Sequence, residues 1–144
     1  MADQDQHVEE LMTSPVETVP PETTLAEAAG VLSENGIGSL VVGENRLAGI
    51  LTESDIVAAT GERLDHTTPV SELMTDPVVT IRRNETLRAA AERMGHNGVK
   101  KLPVVEDGAA VGIITTTDLA LHLPNYRVNM AHQAEPDIVD GEWE

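Results

Sequence analysis

The 144-residue chain contains no cysteine and no phenylalanine, and it has one tyrosine and one tryptophan. The missing cysteine excludes disulfides, thiolate catalysis and zinc–thiolate sites. With so few aromatic residues, the interior must consist of Val, Leu, Ile, Ala and Met, which suit short strands packed under helices. The chain also lacks an apolar run near the roughly 18 residues that span a bilayer, and its start does not resemble a signal peptide. We therefore expect a soluble, cytoplasmic protein with no membrane partner.

Basic residues are scarce as well. Nine Lys and Arg stand against 25 Asp and Glu, so the formal net charge is −16 at pH 7. This balance argues against a nucleic-acid partner, because phosphates are bound through Lys and Arg. It favours a host with high internal salt, where screening relieves the self-repulsion of a strongly acidic protein. The charge is uneven: residues 1–69 carry a balance of −11 and residues 70–132 a balance of 0.

The chain contains an internal repeat. "VEELMTSPVETVPPETTLAEAAGVLSENGIGSLVV" from Val8 aligns with "VSELMTDPVVTIRRNETLRAAAERMGHNGVKKLPV" from Val70, an offset of 62 residues, and "LAGILTESDIVAA" matches "AVGIITTTDLALH" at an offset of 63. Two copies are too few for a solenoid. We expect a first repeat at 8–69 and a second repeat at 70–123, packed about a pseudo-twofold axis and followed by an acidic tail at 124–144.

Each repeat predicts the element order β-α-β-β-α, hence an α/β (α+β) fold. The first helix of each repeat opens at Thr24 or Thr86 and has apolar residues at i, i+3, i+4 and i+7. Gly36 and Gly98 stand where a left-handed helix stop is expected. The arginines at 88 and 93 flank the apolar face of the second repeat's helix and are expected in solvent. Arg82 and Arg83 follow a predicted strand, and the sequence leaves open whether they face a ligand cleft or solvent.

A polar motif recurs where a strand meets a helix, as "GILTESD" and "GIITTTD". Helix N-termini attract anions through unpaired N–H groups, and the hydroxyls of Thr52 and Ser54 add donors for a phosphate. The carboxylate of Asp55 suits the hydroxyls of a ribose. The second repeat supplies the equivalents Thr115, Thr117 and Asp118. Thr-x-x-Asp is also a capping box, and the spacing alone favours this structural interpretation, although capping and ligand binding can coexist.

The whole repeat resembles the CBS domain, a regulatory module that occurs in tandem pairs. The matching stretches are "LMTSPVETV" and "LMTDPVVTI", "NGIGSLVV" and "NGVKKLPVV", and "GILTESD" and "GIITTTD". The resemblance implies two units whose sheets pack together, with two clefts between them for adenosine compounds such as AMP, ADP, ATP or S-adenosylmethionine. It also implies a homodimer and a partner protein that responds to the ligand.

The resemblance assigns residues to both clefts. The first cleft is expected to combine Thr52, Ser54 and Asp55 with Thr80, Val99, Lys100 and Lys101. The second cleft is expected to combine Thr115, Thr117 and Asp118 with Thr18, Ile37, Gly38 and Ser39. Lys100 and Lys101 are the only lysines of the chain, and Gly38 and Ser39 stand in their place in the first repeat. We therefore expect positive charge in one cleft only.

Two other functions compete with ligand sensing. An enzyme is disfavoured because the chain has no nucleophile elbow, no P-loop and no dinucleotide-binding loop, and its five histidines are not spaced as metal ligands. No catalytic residue, catalytic cofactor or metal site is predicted. A structural dimerisation module with empty clefts, or one that responds to a cation, is the remaining alternative.

Overall fold

A computed structural model describes residues 6–122 of the chain. It contains the same element order twice. The first copy consists of a 3-10 turn Val8–Glu10, β1 (Thr18–Val19), α1 (Leu25–Asn35), β2 (Ser39–Val42), β3 (Gly49–Thr52) and α2 (Glu53–Gly61). The second copy consists of a 3-10 turn Val70–Glu72, β4 (Ile81–Arg82), α3 (Leu87–Asn97), β5 (Lys101–Glu106), β6 (Ala109–Thr115) and α4 (Thr116–Leu121). The predicted element order and fold class are confirmed. The acidic tail predicted at 124–144 lies outside the described residues.

Each repeat forms a three-stranded mixed sheet. In the first sheet β2 lies between β1, which is parallel to it, and β3, which is antiparallel; β5 lies in the same way between β4 and β6. Ser39 pairs with Thr52 in one sheet, and Lys101 pairs with Thr115 in the other. The two sheets therefore place equivalent residues of the polar motif at equivalent strand ends.

The helix ends follow the local sequence signals. Thr24 caps α1: its side chain accepts a hydrogen bond from the Glu27 N–H, and the Glu27 carboxylate accepts one from the Thr24 N–H. Gly36 and Gly98 end α1 and α3 with φ of +61° and +66°, values that glycine adopts without steric cost. The predicted caps and left-handed stops are confirmed.

The leading segment of each repeat packs on the other repeat. Val8 is fully buried in a cluster with residues of β4, β5 and β6, and Val70 is fully buried in a cluster with residues of β1, β2 and β3. We call this crossing of the leading segments the exchange. Backbone bridges show it as well, since Thr13 pairs with Ile113 and Thr75 pairs with Ile50. The two repeats are therefore interlocked, and neither has a complete core without the other's first residues.

The expectation that Arg93 is solvated is wrong. Its side chain is one-third exposed, and its guanidinium donates two hydrogen bonds to the Glu85 carboxylate, at 3.1 and 2.8 Å, and one to the Thr80 carbonyl, at 3.0 Å. The hydrogen bond from Arg93 is the main cause that lowers the pKa of Glu85. A planar guanidinium and a carboxylate make such two-point contacts well, so the pair pins α3 to the segment around β4.

Candidate ligand-binding site

The polar motif of the first repeat forms a capping box at the start of α2. Thr52 Oγ1 accepts a hydrogen bond from the Asp55 N–H at 3.4 Å, and Asp55 Oδ2 accepts from the Thr52 N–H at 2.8 Å. The Thr52 hydroxyl also donates to Asp55 Oδ2 at 3.1 Å. These bonds occupy one carboxylate oxygen. Within residues 6–122 no hydrogen bond is described for Asp55 Oδ1, which leaves that oxygen able to accept from a ligand.

The second repeat repeats this arrangement at α4. Asp118 Oδ2 accepts from the Thr115 N–H at 2.9 Å, and the Asp118 N–H donates to Thr115 Oγ1 at 3.2 Å. The capping interpretation is therefore correct in both repeats. The first N–H of each helix is also used, because Glu53 donates to the Gly38 carbonyl and Thr116 donates to the Lys100 carbonyl. Each bond ties the helix start to the residue that precedes β2 or β5.

A cavity of about 440 Å³ lies between the two repeats beside Thr52. The first repeat contributes Gly38, Ile50, Thr52, Glu53 and Ser54, and the second contributes Thr75, Gly98, Val99, Lys100 and Lys101. Five of the seven residues expected in the first cleft thus share one wall: Thr52, Ser54, Val99, Lys100 and Lys101. Asp55 and Thr80 are not in the wall. Thr80 precedes β4, and its carbonyl accepts from Arg93.

The sequence did not predict the remaining part of this wall. Thr75 reaches it because the leading segment of the second repeat crosses to β3, an exchange that no local pattern encodes. Gly38 was expected in the second cleft but also lies in the wall of the first, because the hydrogen bond from Glu53 holds it at the start of α2. The alignment of the two repeats contained a signal for Thr75, since a Thr stands at the same place in both leading segments.

The residues expected in the second cleft do not share a wall in any cavity described for residues 6–122. The four described cavities include none with Thr115, Thr117 or Asp118 in the wall. Ile37 and Gly38 line a different groove, between α1 and α2. Thr18 is in β1 and Ser39 is in β2, where Ser39 pairs with Thr52. The second cleft therefore stays a prediction.

The cavity beside Thr52 has an unusual charge for this chain. Its wall carries two lysines and one carboxylate, Glu53, whereas the chain as a whole has a net charge of −16. Lys100 is exposed and Lys101 is half-buried. Among the ion pairs described for residues 6–122, none involves either lysine. The lysine charges are consequently available to an anion in the cavity.

Arg82 and Arg83 belong to another part of the surface. They line a separate cavity with Glu9 and Glu106, where Arg83 Nη1 lies 2.7 Å from the Glu106 carboxylate and Arg83 Nε lies 3.3 Å from that of Glu9. Arg82 pairs with the penultimate residue of β5, while Lys101 begins that strand, so the two residues are roughly 13 Å apart along it. Neither arginine lines the cavity beside Thr52.

Within residues 6–122, no group of three His, Asp or Glu side chains is placed to hold a metal ion. In the same part of the chain, none of the helices has the length and hydropathy that crossing a membrane requires.

Comparison with known proteins identifies the family. The model of the CBS domain matches residues 8–62 and again residues 70–125, so the chain belongs to the CBS domain family and contains a tandem pair. The CBS domain-containing protein YhcV of Bacillus subtilis is 36% identical over 117 residues, which cover 80% of this chain and 84% of YhcV. The homoserine O-acetyltransferase of Methanocorpusculum labreanum is 36% identical over 118 residues, which cover 79% of this chain and 23% of that enzyme.

Solved structures have the same arrangement. The CBS domain pair of protein MJ0100, in complex with 5′-methylthioadenosine and S-adenosyl-L-methionine, has a TM-score of 0.77 at 27% identity and covers 84% of this chain and 98% of its own. PAE2072 from Pyrobaculum aerophilum, complexed with AMP, has a TM-score of 0.76 at 26% identity, with coverages of 88% and 98%. Hypoxic Response Protein I, with two coordinated zinc ions, has a TM-score of 0.73 at 31% identity, with coverages of 83% and 100%. The predicted resemblance to a tandem CBS pair is confirmed.

Proposed function

We propose that this chain is a regulatory module that binds an adenosyl ligand between its two repeats. The observation that carries the proposal is the cavity of about 440 Å³, which joins the hydroxyls of Thr52 and Ser54 to the ammonium groups of Lys100 and Lys101. That volume lies within the range of small-molecule sites. The related pairs solved with AMP or with S-adenosyl-L-methionine support the same ligand class.

The wall of the cavity suits the parts of an adenine nucleotide. The Ser54 hydroxyl, together with the positive end of α2, receives a phosphate. Asp55 follows Ser54 and lies outside the wall, and we propose that its Oδ1 accepts from the ribose hydroxyls at the edge of the cavity. Lys100 and Lys101 add positive charge for further phosphates. Ile50 and Val99 offer apolar contact for the adenine ring. We therefore favour AMP, ADP or ATP over S-adenosylmethionine in the first cleft.

A regulatory role fits the chain better than catalysis. In the homoserine O-acetyltransferase the related segment makes up 23% of a longer enzyme, so there the module accompanies a separate catalytic part. Both repeats contribute to the cavity wall, so a bound ligand favours one arrangement of the repeats over others. We propose that a partner protein responds to that arrangement.

We also propose that the chain forms a homodimer through its helices. Val57 of α2 has 70% of its surface exposed and Leu121 of α4 has 54%, which is unusual for large apolar side chains. Both lie on the helices that flank apolar grooves. Burial of such side chains against a second copy removes apolar surface from water.

Isothermal titration calorimetry tests the ligand proposal. AMP, ADP, ATP and S-adenosylmethionine are titrated in turn into the chain in high salt, and at least one nucleotide is expected to bind. Asp55→Asn should weaken that binding at least tenfold. Glu27→Gln is the control, because it alters the capping box of α1 and lies in neither predicted cleft. Heat from none of the four compounds would contradict the proposal, and binding of zinc alone would favour the cation-responsive alternative.

A further inference from the structure

We propose that Glu53 is a specificity-determining residue of the cavity beside Thr52, where its carboxylate opposes each phosphate that a nucleotide brings. This role rests on the proposed binding of an adenosyl ligand and concerns which nucleotide the site prefers. Because ATP carries more negative charge than AMP, Glu53 shifts the preference of the site from ATP towards AMP. The two lysines of the wall act in the opposite direction.

The carboxylate of Glu53 lies against a residue without a side chain. Glu53 is the first residue of α2, and its N–H donates to the Gly38 carbonyl at 3.1 Å. A Cβ on Gly38 would lie 3.4 Å from Glu53 Oε1, so the carboxylate lies in the space next to that glycine. Both residues line the cavity. The local backbone therefore holds the negative charge of Glu53 in the wall that would surround a ligand.

The place proposed for the first phosphate is next to Glu53 in the chain. In the first turn of α2, the Glu53 N–H donates to Gly38 and the Asp55 N–H donates to Thr52 Oγ1. Within residues 6–122 no acceptor is described for the Ser54 N–H, which with the Ser54 hydroxyl gives two donors for a phosphate. Adjacent residues lie about 3.8 Å apart along the backbone, so the Glu53 carboxylate and this phosphate would be near neighbours.

Two negative groups compete at this helix start. An acidic side chain in the first turn already complements the positive end of a helix, and a phosphate draws on the same partial charge. The repulsion between them grows with every negative charge that the ligand adds, because Coulomb energies sum over charges. Lys100 and Lys101 of the second repeat offset this repulsion, and with Glu53 they give the wall a formal charge of +1. Removal of the carboxylate would raise that charge and favour ATP most.

The second repeat shows that the fold does not need this acid. Thr116 stands at the position of Glu53 and begins α4, and its N–H donates to the Lys100 carbonyl as that of Glu53 donates to Gly38. The capping boxes of α2 and α4 are made by the flanking Thr and Asp residues. Among the ion pairs described for residues 6–122, none involves Glu53. Its carboxylate thus has no described structural task, whereas repulsion of a competing ligand is a recognised source of specificity.

Calorimetry with ligands of increasing charge tests the role of Glu53. Adenosine, AMP and ATP are titrated without divalent cations into the parent chain and Glu53→Gln. The KCl concentration is the lowest at which both proteins are folded, as judged by circular dichroism. We expect Glu53→Gln to bind AMP about threefold and ATP about tenfold more tightly than the parent, with adenosine within about twofold. The ratio of ATP affinity to AMP affinity should therefore rise about threefold.

Two variants separate the charge of Glu53 from other effects. Glu62→Gln removes one negative charge from the exposed C-cap of the same helix, outside the wall, and should leave the ratio of ATP affinity to AMP affinity unchanged. Glu53→Asp keeps the charge at the helix start and should keep the parent's ratio. Added KCl should reduce the difference between Glu53→Gln and the parent, because salt screens repulsion between exposed charges.

Three results with Glu53→Gln would overturn its role while leaving the ligand site in place. Equal changes for adenosine, AMP and ATP would show that Glu53 acts through the shape of the cavity. Weaker binding of ATP would show that the carboxylate contacts the ligand favourably. Unchanged affinities would show that its charge does not reach the phosphates. A parent chain that binds none of the three compounds contradicts nucleotide binding itself, and the role of Glu53 with it.

Discussion

Gly49 and Thr75 approach so closely that a Cβ on residue 49 would lie 2.9 Å from the Thr75 carbonyl oxygen. The side chain of Met74 lies against the same place. The equivalent glycine of the second repeat, Gly112, has the same relationship with Thr13, at 3.0 Å. In both repeats the leading segment of one repeat crosses the sheet of the other at a residue without a side chain. The glycine of each "GI-x-T" motif is therefore a requirement of the exchange.

Gly49→Ala should destabilise the chain by about 2 kcal/mol, because the added methyl group forces backbone or Met74 to move. Urea unfolding followed by circular dichroism measures the change. Gly30→Ala is the matched control: residue 30 lies within α1, a Cβ there meets no atom within 4 Å, and alanine is expected to stabilise the helix by about 0.5–1 kcal/mol. Equal effects of the two substitutions would show that the crossing is not tight.

Val8→Ala should loosen the second repeat more than the first, although residue 8 begins the first repeat. Val8 is fully buried beside Ile81 and Leu102, and its truncation is expected to cost about 2 kcal/mol. Amide hydrogen exchange read by mass spectrometry should show faster exchange in β5 and β6 than in β2 and β3. Val70→Ala is the reciprocal control and should reverse the pattern. Faster hydrogen exchange confined to the first repeat of Val8→Ala would contradict the packing of its leading segment on the second repeat.

Local signals predicted most of the fold. Thr24, Gly36 and the apolar spacing of α1 act within a few residues, so their consequences could be inferred without knowledge of the tertiary structure. The packing of each leading segment on the other repeat could not be predicted, because Val8 and Val70 begin similar motifs and neither motif marks the core into which its valine packs.

The candidate site divides in the same way. The resemblance to the CBS domain placed Thr52 opposite Lys100, and the structure puts both in one wall. Thr75 reaches that wall only through the exchange. Arg93 was expected in solvent because it flanks the apolar face of its helix. Glu85 lies eight residues earlier, before that helix begins, and no local pattern predicts this pair.

The ion pair of Glu85 and Arg93 should make stability depend on pH in a defined window. The hydrogen bond that Arg93 donates to Glu85 holds the pKa of Glu85 below the value of 4.5 for the free side chain. A depressed folded pKa contributes stability that is complete above 4.5 and is lost as the pH falls through the folded value. Glu85→Gln should therefore cost about 1 kcal/mol at pH 7, and this difference should shrink between pH 5 and pH 3.

Urea unfolding of the two proteins across that range measures the difference. Glu92→Gln is the control, because Glu92 is exposed on α3 and no ion pair is described for it within residues 6–122. A difference between Glu85→Gln and the parent that stays constant down to pH 3 would show that the pair contributes nothing that depends on protonation.

The acidic surface predicts that salt stabilises the chain. With a net charge of −16, folding brings like charges together, and ions screen that repulsion. The urea midpoint of unfolding should rise between 0.1 and 2 M KCl. The same series in sucrose controls for general solvent exclusion. A midpoint that falls with added KCl would refute the idea that the sequence is adapted to high internal salt.

Combined substitution of Lys100→Ala and Lys101→Ala should weaken ATP binding at least tenfold and change adenosine binding by less than about threefold. The reason is that both side chains line the cavity beside Thr52, where their charge acts on phosphates and not on the nucleoside. Calorimetry with ATP and adenosine at one ionic strength measures both affinities.

Arg82→Ala combined with Arg88→Ala is the control for net charge. It removes the same charge from exposed residues of the second repeat outside this wall, so it separates a local contact from a change in net charge. Equal losses for ATP and adenosine in the lysine variant would show that the lysines support the cavity wall and do not contact phosphate.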